Sequence, residues 1–104
     1  MANRIEKLLG FLQETPNDCF LNHALALEFV KLDDDGTARG YFEKNLEYDP
    51  TYIATYYHLA KLYERQNEID DAVTTYEQGM DYARKAGDNH SYSELQNALE
   101  ELTD

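Results

Sequence analysis

The 104-residue sequence contains few cysteine, glycine, proline and basic residues, and each of these shortages excludes a class of protein. Its single cysteine, Cys19, can form neither an internal disulfide nor a cysteine metal cluster. Five glycines and two prolines are too few for a turn-dense all-β fold. No apolar run approaches the roughly 20 residues that span a bilayer. With 9 basic against 21 acidic residues, the net charge of −12 leaves no basic face for nucleic acid or an anionic membrane.

The amino terminus and the chain length narrow the class further. The start Met1–Arg4 lacks the apolar core of a secretion signal, so we expect a cytoplasmic location. A chain of 104 residues, 42% of them apolar, has room for one packed domain and no second core.

What the sequence does contain is an internal repeat with a period of 34 residues. Most of the matches between its two copies fall at apolar and small positions, where packing restricts the residue type. The matched pairs are Pro16 with Pro50, Leu25 with Leu59, Ala26 with Ala60, Phe29 with Tyr63, Lys31 with Arg65, Ala38 with Ala72, Phe42 with Tyr76, Leu46 with Met80 and Tyr48 with Tyr82.

Each copy of the repeat carries two apolar stripes with helical spacing, separated by a polar break. In the first copy the stripes are Leu25, Ala26, Phe29 and Leu32, then Ala38, Phe42 and Leu46. In the second they are Tyr56, Leu59, Ala60 and Tyr63, then Ile69, Ala72, Val73, Tyr76 and Met80. Similar stripes lie at both ends of the chain: Ile5, Leu8, Leu9 and Leu12, and Leu95, Ala98, Leu99 and Leu102. The pattern predicts an all-α fold with helices near 2–14, 19–32, 36–48, 53–66, 69–86 and 90–103.

These residues resemble the tetratricopeptide repeat family, in its small bacterial form. In this family the first helix of a repeat carries a bulky residue, a Leu, a small residue and an aromatic. The second helix carries a small residue, an aromatic and a closing Pro. Both copies in this chain follow most of this pattern. The departures are Asn22 for the bulky residue, Gly79 for the commoner Ala and Arg84 for the closing Pro. The resemblance implies a right-handed superhelix of antiparallel helix pairs. We expect one domain over 1–104, divided into a truncated leading helix (1–18), repeat one (19–52), repeat two (53–86) and a capping helix (87–104).

No pattern of catalytic or metal-binding residues emerges, so we expect no enzyme activity, no metal and no cofactor. His23, His58 and His90 lie on separate helices, which disfavours a shared site. A calcium loop with Gly36 as its turn glycine would need acidic ligands where Lys31 and Phe42 stand, so a helix cap with a turn explains the Asp33–Gly36 segment better. Cys19 begins a helix but has no base beside it in sequence.

The family resemblance implies that the first helix of each pair lines a concave groove for a partner segment. Projected onto this sequence, the groove residues are Phe20, His23, Leu27 and Val30 from repeat one and Tyr57, Lys61, Glu64 and Arg65 from repeat two. The family's clamp for a peptide carboxylate needs Lys and Asn, and this chain has His23 and Leu27 at the corresponding places. We therefore predict no carboxylate clamp.

The function that these residues favour is a non-catalytic adaptor or scaffold that binds a protein or peptide in this groove. The acidic segment 87–104, which has no Lys or Arg, would steer a partner of basic character, although solubility alone is the explanation that the charge favours. Neither nucleic acid nor membrane is expected as a partner. The alternative is a structural homo-oligomer, such as a homodimer, which assembles through an exposed edge of the terminal helix at Ile5, Leu9 or Phe11.

Overall fold

In a computed structural model, residues 3–104 are described, and their secondary structure consists of six helices with no strand. The helices are α1 (Arg4–Glu14), α2 (Cys19–Lys31), α3 (Asp35–Tyr48), α4 (Ile53–Arg65), α5 (Ile69–Ala86) and α6 (Asn89–Thr103). This confirms the all-α prediction, with helix ends within two residues of those expected; the predicted first position, Ala2, lies outside the described residues. No helix in the described range is both long and apolar enough to cross a membrane.

Contacts between residues divide the chain into two compact units, Met1–Tyr52 and Ile53–Asp104. In the first unit α2 packs against both α1 and α3, and in the second α5 packs against both α4 and α6. Because only a few residues join consecutive helices, neighbouring helices within each unit run antiparallel. The grouping of the whole chain into one domain stays a prediction.

The core of the first unit is built on the apolar stripes that the spacing predicts. Ala26, Ala38 and Phe42 are fully buried between α2 and α3, and the small alanines allow the two backbones to approach closely. Leu8 of α1 packs with Ala24 and Leu25 of α2 in a cluster of buried residues. Leu32 is an exception: α2 ends one residue before it, and its side chain is 63% exposed.

The second unit has the larger set of fully packed side chains. Its buried residues include Tyr56, Leu59, Ala60, Leu62, Tyr63, Ala72, Tyr76, Ala83, Leu95 and Ala98. Gly79 of α5 lies directly beneath Tyr56 of α4, where a Cβ atom would come within 2.7 Å of the tyrosine Cβ. The predicted stripe is wrong at Ile69, which is 39% exposed because it is the first residue of α5.

The turns that follow α2 and α4 have the same backbone conformation. After α2, Asp33 adopts a left-handed backbone with φ of 59°, and after α4 the equivalent Asn67 does the same with φ of 61°. In both turns the next amide closes the same bond: Asp34 N donates to Phe29 O at 2.9 Å, and Glu68 N donates to Tyr63 O at 2.8 Å. The turn is therefore made by Asp33, whereas Gly36 lies inside the first turn of α3.

Candidate protein-binding site

The predicted groove residues of the first unit lie on one exposed face of α2. Phe20 is 64% exposed, and His23, Leu27 and Val30 are partly exposed. Residues three and four apart share a face of a helix, which is why these side chains line up along α2. Beside them is an open hollow of about 480 Å³, lined by Arg4, Phe20, His23, Ala24, Leu27, Glu28 and Lys31.

His23 is held in place by aromatic rings. Its imidazole lies 5.6 Å from the ring centre of Phe42 and 5.6 Å from that of Tyr52. Both rings are tilted against it, so His23 forms part of the packed floor of the hollow. Tyr52, which lies outside the predicted core stripes, is positioned by this contact, and burial raises the pKa of its hydroxyl.

A three-residue ion cluster lies at one edge of the hollow. Glu28 Oε2 is 2.9 Å from Lys31 Nζ and 3.4 Å from Arg4 Nε. The hydrogen bond from Lys31 lowers the pKa of Glu28 below its usual range. Arg4 comes from α1, and no periodicity in the sequence links it to α2, so this cluster could not be predicted as part of the site.

In the second unit, three of the four predicted residues interact with one another on α4. Lys61 Nζ lies 5.7 Å from the centre of the Tyr57 ring and 3.7 Å from Glu64 Oε2. Arg65 is exposed at the end of the same helix. This is a mixed surface of one aromatic ring and alternating charges, suited to non-covalent recognition.

Glu64 is positioned by Tyr76, which the sequence predicts only as a core residue. Tyr76 of α5 is fully buried, and its hydroxyl donates a hydrogen bond to the Glu64 carboxylate. Burial, and then this bond, raise the pKa of Tyr76 far above its usual value. The signal in the sequence was the difference between the copies, because Phe42 stands at the equivalent position of repeat one and has no hydroxyl.

The two halves of the predicted groove thus lie in different units, and their union into one groove stays a prediction. Within each unit the side chains form an exposed, partly apolar surface with fixed ion pairs. Such a surface can bind a polypeptide segment by contact and charge.

The surroundings of Cys19 and of Asp34 point to structural roles for these two residues. Cys19 is partly exposed, and burial, Asp49 and Asp18 raise the pKa of its thiol, the opposite of an activated nucleophile. Asp34 caps α3, its Oδ1 accepting a bond from Thr37 N at 3.2 Å. In residues 3–104, no three His, Cys, Asp or Glu side chains are grouped as metal ligands.

Comparison with known proteins gives a consistent result. The sequence pattern of the tetratricopeptide repeat matches residues 36–101. A search of curated proteins finds no match.

Solved structures extend this likeness over most of the chain. A crystal structure of a tetratricopeptide repeat domain protein from Salinibacter ruber is 46% identical, covers 83% of this chain and 96% of its own, and has a TM-score of 0.79. A solution structure of a Salinibacter ruber tetratricopeptide repeat domain protein is 47% identical, with coverages of 84% and 88% and a TM-score of 0.80. The TPR2B domain of yeast Sti1, in a complex with pHsp70, shares the fold at 17% identity, with coverages of 95% and 79% and a TM-score of 0.88.

Proposed function

Because the chain belongs to the tetratricopeptide repeat family, we propose that it is a non-catalytic adaptor or scaffold that binds a partner segment on α2 and α4. The tetratricopeptide fold is commonly a protein–protein interaction module, and the Sti1 domain is an example in complex with pHsp70. That likeness concerns the fold alone, so the partner of this chain has to be argued from its own surface.

The observation that carries the proposal is the exposure of Phe20 beside a formed hollow. A phenylalanine that is 64% exposed on a helix face gains by burial against a partner. The floor beneath it is well packed, since His23 contacts two aromatic rings and Glu28 forms ion pairs with two cations. A partner segment would therefore bind a surface that is already ordered, which lowers the entropic cost of association.

The experiment compares capture of partner proteins by two phenylalanine variants. The wild-type chain, Phe20→Ser and Phe11→Ser are immobilised, and proteins retained from a lysate of the source cell are quantified by mass spectrometry. Phe11 is the matched control because it is 59% exposed but lies on α1, away from the hollow lining. We expect partners that are retained by wild type and Phe11→Ser and lost with Phe20→Ser.

The opposite pattern contradicts the proposal. If retention is the same for the three proteins, or is lost only with Phe11→Ser, the α2 surface is not the binding site. Tyr57→Ala tests the contribution of α4 in the same way, with Tyr92→Ala of α6 as its control.

A basic partner and a cytoplasmic location are the finer parts of the proposal. The charge of −12 supports a basic partner, because it attracts cationic segments at low ionic strength. Retention of the captured proteins should then fall as salt is raised, and salt-independent retention would oppose a basic partner.

The alternative function, homo-oligomer assembly, also has an observation in its favour. Phe11 and Leu9 of α1 are 59% and 39% exposed, while Asn45, one repeat further along from Phe11, is fully buried. The face that a preceding helix would cover is therefore open. Light scattering over a range of concentrations tests this: a persistent dimer that Phe11→Glu disrupts favours assembly, and a monomer rules it out.

A further inference from the structure

The first unit has a second hollow, between α1 and α3, which the proposed function does not use. It measures about 410 Å³, and its lining includes Leu9 and Leu12 of α1 and Tyr41, Lys44 and Tyr48 of α3. A smaller hollow of about 270 Å³ continues it along α3, again beside Tyr41 and Lys44. Neither has a lining residue in common with the hollow that contains Phe20.

The walls of this second hollow are mostly apolar, with Gln13 and Asn22 as the uncharged polar residues of its lining. Leu9 is 39% exposed and Tyr48 is 37% exposed, so both have surface to bury against a partner. Tyr41 is held parallel to the Phe29 ring, with ring centres 5.7 Å apart. Gly40 has no side chain to fill the smaller hollow, and a Cβ atom at this position would meet nothing within 4 Å. The smaller hollow is therefore open along α3.

Lys44 is the single charged residue among those that line the two hollows. Three other lysines do pair with a carboxylate. The Nζ–carboxylate oxygen distances are 2.9 Å for Lys31, 3.7 Å for Lys61 and 3.0 Å for Lys85. Lys44 forms no ion pair with any residue of 3–104, although the chain has 21 acidic side chains. A lone cation at the edge of an apolar hollow is complementary to an apolar segment that carries a carboxylate.

We propose that this hollow binds an amphipathic helix of another protein, with a large apolar side chain between Leu9 and Tyr48 and a carboxylate on Lys44. A helix suits the site because the hollow is a valley between two helices. Lys44 and Tyr48 are one helical turn apart, about 6 Å along α3, so the apolar and acidic residues of the partner should also be one turn apart. The net negative charge of the chain opposes an acidic ligand only weakly at this site, because salt screens the interaction between exposed charges that are more than about 8–10 Å apart.

The test uses a phage-displayed library of random 16-residue peptides selected on the full wild-type chain. Enriched peptides are synthesised with a fluorophore, and their affinities are measured by anisotropy for wild type, Lys44→Glu and Lys7→Glu. Lys7 is the matched control, because it carries the same charge, lies on α1 and lines neither hollow. Circular dichroism confirms that each variant is folded.

We expect enriched peptides with Asp or Glu one helical turn from a large apolar residue. Lys44→Glu should weaken their binding about tenfold or more, whereas Lys7→Glu should change it less than about twofold. In spectra of the ¹⁵N-labelled chain, the peptides should shift the amides of Leu12, Tyr41 and Lys44.

Several results would overturn the proposal. These are a selection that enriches nothing, peptides that bind Lys44→Glu as tightly as wild type, and a dimer of the chain itself that Lys44→Glu dissociates. Peptides that shift the amides of Phe20, His23 and Leu27 instead would overturn it while supporting the α2 surface of the proposed function. The two proposals can therefore fail independently.

Discussion

At the scale of single residues, Gly79 shows why this chain departs from its family's usual alanine. The glycine lies under Tyr56, and an added Cβ would be 2.7 Å from the tyrosine Cβ and 3.0 Å from Leu95 Cδ1. A Cβ belongs to the base of a side chain and cannot rotate away, so the backbones of α4 and α5 would have to separate. The close approach of the two helices therefore depends on the missing methyl group.

We expect Gly79→Ala to destabilise the chain by about 1–3 kcal/mol through overpacking, in spite of the better helix propensity of alanine. Gly10→Ala and Gly40→Ala are the matched controls, because both lie inside helices and an added Cβ meets nothing within 4 Å. Each control should gain up to about 1 kcal/mol. Urea unfolding of the three variants measures the difference, and a stabilised Gly79→Ala would contradict the packing seen here.

The stability of the second unit should depend on the protonation of His58. Burial lowers the pKa of this imidazole in the folded chain, with opposing contributions from Glu94, which raises it, and Arg65, which lowers it further. As the pH falls through about 6.5, the unfolded chain takes up the proton before the folded chain does. The free energy of unfolding is therefore full above that pH and decreases below it.

Urea midpoints at pH 7.5 and pH 5.5 test the His58 effect. The wild-type midpoint should be lower at pH 5.5, and His58→Gln should show a smaller difference between the two pH values. His90→Gln is the control, since the His90 side chain is 89% exposed. If His58→Gln keeps the wild-type difference, the imidazole is not the responsible group.

At the scale of helices and turns, the repeat is kept by polar residues that differ in identity but adopt the same backbone. Asp33 and Asn67 end equivalent helices with φ of 59° and 61°, and Asp and Asn are the residues that tolerate this region best after glycine. Asn22 makes a comparable substitution. In place of a bulky aromatic, its buried amide donates to Pro16 O at 3.1 Å and Asp18 O at 2.9 Å, tying the loop before α2 to the helix.

We expect Asp33→Gly to stabilise the chain by about 0.5–1 kcal/mol, because glycine adopts a left-handed backbone without the Cβ penalty. Asp33 is exposed, so little packing is lost. Thr37→Gly, an exposed substitution inside α3, should instead destabilise by about 0.3 kcal/mol, because threonine is already a weak helix former. Urea unfolding gives both values, and a loss of stability in Asp33→Gly would show that its side chain has a role beyond the turn.

At the scale of the whole molecule, charge is the dominant feature. The chain carries 21 acidic and 9 basic residues, and ion pairs such as Lys31–Glu28, Arg39–Glu43 and Lys85–Asp81 join residues three or four apart on one helix. Such local pairs neutralise few of the acidic groups, so the folded state retains repulsion between carboxylates.

We expect sodium chloride to raise the thermal midpoint of the chain, because the screening length falls from about 30 Å at 0.01 M salt to about 3 Å at 1 M. The double variant Glu100→Gln, Glu101→Gln removes two exposed charges of α6 and should show a smaller rise. Differential scanning calorimetry measures both. A midpoint that does not change with salt would mean that carboxylate repulsion is unimportant for stability.

The helices follow from the sequence alone, because their apolar stripes repeat with a period that only a helix can bury on one face. The family follows for the same reason, since the small and aromatic residues recur at spacings fixed by helix pairs in contact. The exposure of Leu32 and Ile69 could not be predicted from the stripes, because periodicity does not report where a helix begins or ends.

Which side chains meet across helices depends on tertiary packing. The Arg4–Glu28 pair joins α1 to α2, the Tyr76–Glu64 hydrogen bond joins α5 to α4, and Lys44 of α3 lines the same hollow as Leu9 of α1. The spacing along one helix fixes a face, but the position of that face against its neighbour is set by packing of the whole unit. The surfaces that can bind a partner arise at that level.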